Sequence, residues 1–252
     1  MKFAYFFIIS FFLAVSVQAG EEAFTPTQKE ALNKIIDEHL MKNPEILVTA
    51  LDQLQQKQIK QQREKARILI QQNKDALFSN TNDYVESAAS ASIPMVVFMD
   101  PYCGHCKKFH EIIKQALDPS NKGYIKDLKI IYKDLPLFGE DSDRAVKAMH
   151  AAKLQGQYPA FQQELFKKEK PASKEEIIEI ASQLKLDTTR FLKDMESDQI
   201  KALISSNRQL AEKLGIRGTP SFIIGDFLTI GGASLSDLKE LIEKAKNPEK
   251  SK

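Results

Sequence analysis

The stretch MVVFMDPYCGHCKKFHEIIKQAL, residues 95–117, decides how this 252-residue chain is read. It opens with a continuous apolar run from Met95 to Met99, the pattern of a strand buried on both faces. It closes with Phe109, Ile112, Ile113 and Leu117 at helical spacing. Between the two stand Cys103 and Cys106, the two cysteines of the whole sequence. Two sulfurs at a strand-to-helix junction have three readings: a structural staple, half of a metal site, or a reactive pair.

As a staple the pair would achieve little. A cross-link stabilises by closing a loop in the unfolded chain, and its yield falls as the loop shortens. A chain of this length buries a core without help. A zinc site would add His105 or His110, but structural zinc takes four ligands, usually as two separated pairs, and no second cysteine pair exists. His39 and His150 stand alone on helical faces and read as satisfied or surface histidines. The redox reading fits the chemistry best. A cysteine at a helix start meets unpaired backbone N–H groups and the positive end of the helix dipole, which favour the nucleophilic thiolate. His105, when protonated, adds charge or a hydrogen bond. Cys106 lies one turn on, shielded from substrate but able to reach back. That is the division into attacking and resolving thiols that disulfide exchange needs.

Working outward, LKIIYKDLPLF (128–138) reads as a second strand, completing a βαβ unit. From about 140 to 215 the spacing turns helical, with Ser173 and Glu176 as a capping box. TPSFIIG (219–225) and DFLTIGG (226–232) predict an antiparallel hairpin joined near Gly225-Asp226, and Ser234 to Lys246 a closing amphipathic helix. On the N-terminal side, SNTNDYVESAASASIP (79–94) reads as a connector. Before it, Pro26–Met41 forms a helix capped by Thr25, with Ala31, Leu32, Ile35, Ile36 and Leu40 on one face. Asn43-Pro44 breaks it. A second helix runs from Pro44 to about Phe78, with an apolar stripe at Ile46, Leu47, Ala50, Leu51 and Leu54. Its middle, QQKQIKQQREKAR (55–67), is polar nearly all round, so it is no buried core element. The stripes need a partner, and a second copy of the chain is the economical one; a solvated linker helix is the alternative. The periodicities together predict a mixed α/β domain preceded by a helical region.

The first 20 residues, MKFAYFFIISFFLAVSVQAG, carry one lysine, an apolar run too short to span a bilayer, and small residues before Gly20. They read as a secretory signal peptide, residues 1–19, cleaved after Ala19. No cysteine near that point offers a lipid anchor, so a soluble exported protein is expected; the resemblance given below implies the periplasm, with outer-membrane or surface association left open. The charge is nearly balanced, 36 Lys and Arg against 34 Asp and Glu. That gives no electrostatic case for nucleic acid.

The segments VVFMDPYCGHC and RGTPSF, with the helical block between them, resemble the DsbA-like periplasmic thiol-disulfide oxidoreductases of the thioredoxin superfamily. The resemblance covers about Ile93 to Lys246. It implies a thioredoxin fold with an all-helical insertion at about 140–215, within a domain from 81 to 252. It also implies that Cys103 attacks, that Cys106 resolves, and that Thr219-Pro220 forms a cis-peptide loop where extended substrate binds. Val97 stands where such oxidases carry a buried acid. Asp100, Gly104-His105 and Thr219 look more like disulfide isomerases of the DsbC and DsbG type. The helical region 20–80 resembles the dimerisation extension of dimeric DsbA-like proteins. Asp100 reads equally as a loop residue capping the helix or as a redox residue; Lys107 and Lys108 read as solvated. The expected function is formation or rearrangement of disulfide bonds in unfolded or misoxidised exported proteins. The expected protein is a homodimer that uses no cofactor and no metal and is served by a membrane redox partner. The rival is a surface or periplasmic binding or chaperone module whose redox site is secondary.

Overall fold

The computed structural model describes residues 24–247. The expected signal segment and most of the polar C-terminal tail lie outside the described residues. The chain divides into two compact units after Lys57.

The first unit holds α1 (Pro26–Lys42) and the start of α2 (Glu45–Gln72). Thr25 caps α1 in a full capping box: its hydroxyl accepts from the Gln28 N–H at 3.3 Å, and the Gln28 side chain accepts from the Thr25 N–H at 2.9 Å. No residue of α1 is buried. Leu32, Ile35, Ile36, Ile46, Leu47, Leu51 and Leu54 are all exposed.

In the second unit α2 ends at Gln72, and a short α3 (Lys74–Phe78) follows, where the sequence suggested one continuous helix. Asn73 makes the break. Its side-chain amide donates to the Leu69 carbonyl at 2.8 Å, and its φ of −113° leaves the helical region. Next comes β1 (Tyr84–Ser87), inside the segment expected to be a mere connector. It pairs antiparallel with β3. β2 (Ile93–Met99), α4 (Gly104–Leu117) and β3 (Leu128–Asp134) form the βαβ unit, β2 and β3 running parallel. The helical block follows: α5 (Gly139–Lys153), α6 (Tyr158–Lys167), α7 (Lys174–Gln183), α8 (Thr188–Met195) and α9 (Asp198–Lys213). It is bracketed by Gly139 and Gly215, whose φ values of +75° and +71° belong to the region that side chains disfavour. The chain then returns as β4 (Ser221–Ile224) and β5 (Phe227–Ile230), and closes with α10 (Leu235–Lys246). Ser234 caps α10 and Ser173 caps α7, each in a capping box.

The sheet order is β1-β3-β2-β4-β5, with β4 antiparallel to both β2 and β5. This is the thioredoxin arrangement with helices inserted between β3 and β4. Alternation along β2 feeds two cores. Met95, Val97 and Met99 pack with α4 and α10, whereas Val96 and Phe98 pack with the end of α9 and with Ile70 and Leu77. Residues 95–99 of β2 are no more than 1% exposed. At about 1.5–3 kcal/mol for each fully buried large apolar side chain, this strand alone anchors the domain. A third core, built on Phe161, Phe191 and Tyr158, lies within the helical block. Among the described residues no helix is long and apolar enough to cross a membrane.

Candidate active site

β2 ends at Met99, and four residues carry the chain to α4. Cys103 is the N-cap of that helix, with φ −77° and ψ 117°, and its carbonyl accepts the first helical bond, from Lys107 N–H at 3.1 Å. Cys106 lies one turn into the helix. Both thiols are free. Their access differs: Cys103 is 6% exposed and Cys106 is 0% exposed.

The loop before β4 closes over both sulfurs. The Thr219-Pro220 peptide is cis, and the Cys103 thiol donates to the Thr219 carbonyl at 3.2 Å. The loop itself is held by Ser221, whose hydroxyl donates to the Gly218 carbonyl at 2.7 Å, and by Gly231 N–H, which donates to the Pro220 carbonyl at 2.8 Å. Burial pushes the Cys106 thiol well up from its ordinary value. Thr219 therefore touches the more accessible sulfur through its carbonyl.

Asp100 is fully buried and does not cap α4, since Cys103 holds that position. One carboxylate oxygen accepts from Tyr102 N–H at 2.8 Å and from the Ser142 hydroxyl at 2.9 Å. The other accepts from Leu137 N–H at 2.7 Å. Two further ties reach the helical block. Tyr102 accepts from Ala172 N–H at 2.9 Å, and the Lys107 ammonium donates to the Lys168 carbonyl. Lys107 is thus half-buried and bonded where the sequence suggested a solvated lysine, because its stem runs along α4 toward the end of α6. Lys108 is exposed, and His105 is exposed in the first turn. His110 is buried edge-on to Phe166, with ring centroids 4.9 Å apart. Burial, helped by the Lys114 charge, holds it down at about 4, so it is neutral at pH 7. Val97 is fully buried on the face of β2 that packs with Cys106.

Sequence reasoning missed a second polar group at the end of β3. His150, expected to be an isolated histidine, is buried with its Nε2 2.9 Å from the Asp134 carboxylate, which also accepts from the Tyr158 hydroxyl at 2.7 Å. On the opposite face Lys133 is 1% exposed, ion-paired with buried Asp83, and donates to the Ala76 carbonyl at 2.6 Å. The signal was available: Lys133 and Asp134 follow directly on the run Ile130, Ile131 and Tyr132. Among the described residues no three His, Cys, Asp or Glu side chains are grouped to hold a metal ion.

Comparison with known proteins agrees with this geometry. A family profile described as a DSBA-like thioredoxin domain matches residues 95–243. A thioredoxin-like oxidoreductase from Silicibacter pomeroyi is 32% identical and superposes with a TM-score of 0.63, over 69% of this chain and 98% of that one. The thiol-disulfide exchange protein alpha-DsbA2 from Wolbachia pipientis is 28% identical with a TM-score of 0.65, over 72% of this chain and 96% of its own. A probable disulfide bond formation protein D from Bacillus anthracis is 26% identical over 165 residues, 61% of this chain and 74% of that protein. With the profile spanning more than half its length and the sheet, helical insertion and cis-proline loop all in place, the chain belongs to the DsbA-like thioredoxin-domain family of thiol-disulfide oxidoreductases.

Proposed function

We propose that this protein is an exported, periplasmic oxidoreductase that forms and rearranges disulfide bonds in unfolded or misoxidised protein substrates. The observation that carries the reading is the unequal access of two sulfurs held against one cis-proline loop. In the oxidising direction a substrate thiolate attacks Cys103 Sγ of the Cys103–Cys106 disulfide. The S–S bond breaks, its electron pair leaves on Cys106, and that sulfur takes a proton. A second substrate thiolate then attacks the substrate's own sulfur in the mixed disulfide, which releases an oxidised substrate and a reduced pair. A membrane redox partner restores the disulfide. In the isomerising direction reduced Cys103 attacks a wrong substrate disulfide and is later displaced.

The raised Cys106 thiol suits both directions. A sulfur that stays protonated attacks slowly, so the mixed disulfide lasts long enough for the substrate's second thiol to reach it. Thr219 and Pro220 seat the extended substrate backbone, and His105 supplies a charge or hydrogen bond at the mouth of the site. Insulin reduction by the purified protein tests the proposal against the binding-module alternative. Thiol-dependent turnover is expected, and a pure binder gives none.

The exposed stripes of α1 and early α2 support a homodimer built on residues 24–57. Placing aspartate at both Leu47 and Leu51 is expected to halve the sedimenting mass, and an unchanged mass would reject this interface.

A further inference from the structure

We propose that Asp100 is a positioning residue for the thiol pair, setting its redox equilibrium through the loop that joins β2 to α4. The inference rests on the redox reading of Cys103 and Cys106 and goes beyond it. Three oxygens of this one residue take four hydrogen bonds. The carboxylate takes the Tyr102 N–H, the Leu137 N–H and the Ser142 hydroxyl, all at 2.7–2.9 Å. The backbone carbonyl accepts from Cys103 N–H at 3.2 Å. Asp100 therefore holds Cys103 through its main chain, and the β3–α5 loop and α5 through its side chain.

The carboxylate is fully buried, and all three of its donors are neutral, with no cation among them. A site that only needed a filled loop would use an apolar residue and avoid the desolvation. Here the donors fix the loop in both directions. Tyr102 N–H is held two residues on, in an Asx-type turn, and Leu137 N–H is held from across the sheet. So fixed, the Asp100 carbonyl holds the Cys103 N–H at 3.2 Å and keeps that sulfur at the N-terminus of α4, where unpaired N–H groups favour its thiolate. That placement of Cys103 stabilises the dithiol form over the disulfide. Without the carboxylate, Tyr102 and Leu137 each lose their acceptor, the loop relaxes, and the disulfide gains.

The test is equilibration with glutathione, in which protein disulfide and two glutathione thiols exchange with protein dithiol and one glutathione disulfide. In Asp100→Ala the equilibrium is expected to move toward the protein disulfide by about ten-fold, equivalent to about 30 mV for this two-electron couple. Asp100→Asn keeps one acceptor oxygen and is expected to shift less. Ser142→Ala removes one donor and is expected to shift least, in the same direction. If Asp100→Ala does not yield folded protein, the order of the other two decides the matter. A lowered melting temperature with an unchanged glutathione ratio would overturn the proposal. A wild type that fails to exchange with glutathione at all would instead overturn the redox reading beneath it.

Discussion

Replacing Cys106 by serine leaves the protein covalently coupled to its substrates. Cys103 keeps its access and its place at the head of α4, so the first exchange step proceeds. What is lost is the thiol behind it. An oriented internal nucleophile acts at an effective concentration of about 10⁵ M or more, so millimolar external thiol resolves the adduct orders of magnitude more slowly. Burial of Cys106 spends part of that advantage, because only the thiolate attacks. A large excess remains. Non-reducing electrophoresis of Cys106→Ser after exposure to disulfide-bonded substrate should show adducts that disappear with dithiothreitol. Cys103→Ser should show none and should lose turnover by at least about two orders of magnitude, as expected when a nucleophile is removed. Equal trapping by the two variants would reverse or abolish the assigned roles.

The second large effect is on stability. Lys133 and Asp83 are ion-paired with side chains 1% and 0% exposed, and the ammonium is further satisfied by the Ala76 carbonyl. Lys133→Met removes the cation and strands the carboxylate, at a cost of about 3–5 kcal/mol for a broken buried pair. Burial already raises the Asp83 carboxyl above its ordinary value, and Lys133 opposes that rise. The variant raises it further. An acid whose folded-state value is raised binds its proton more readily when folded, so its deficit narrows as pH falls and is full once pH exceeds the raised value. Adding Asp83→Leu should recover much of the loss, since an apolar pair of similar volume avoids both desolvations. Urea unfolding at neutral and acid pH measures all three species. A loss below about 1 kcal/mol for Lys133→Met would show that the pair is not structurally important.

The elements legible in the sequence are those whose pattern is local. The apolar run of β2, the 3–4 spacing of α4, the Thr25 and Ser173 caps and the Gly225-Asp226 turn each follow from neighbours in the chain, and each stands where expected. Cys103 at a helix N-terminus follows from the same junction. What the sequence hid depends on distant partners. β1 has only four residues, preceded by Asn82 and Asp83 and followed by Ala88 and Ala89, and it is a strand because β3 offers it a ladder. Asp100 read equally as a helix cap or a redox residue because its main acceptor duties lie 37 and 42 residues away, at Leu137 and Ser142. His150 and Asp134 are paired by the folding of α5 onto the end of β3, which no spacing rule anticipates. Lys107 resembles any other exposed helical lysine until α6 ends beside it.

The way the helical block joins the sheet bears on how such proteins diversify. The chain leaves after β3 and returns before β4 through two glycine corners, Gly139 and Gly215, while β2 pairs directly with β4. The block is therefore a cassette: residues gained or lost between its corners shift no strand. So long as Ser142 and Ala172 keep their grip on the thiol loop, inheritance can remodel the block without disturbing the junction that carries the sulfurs.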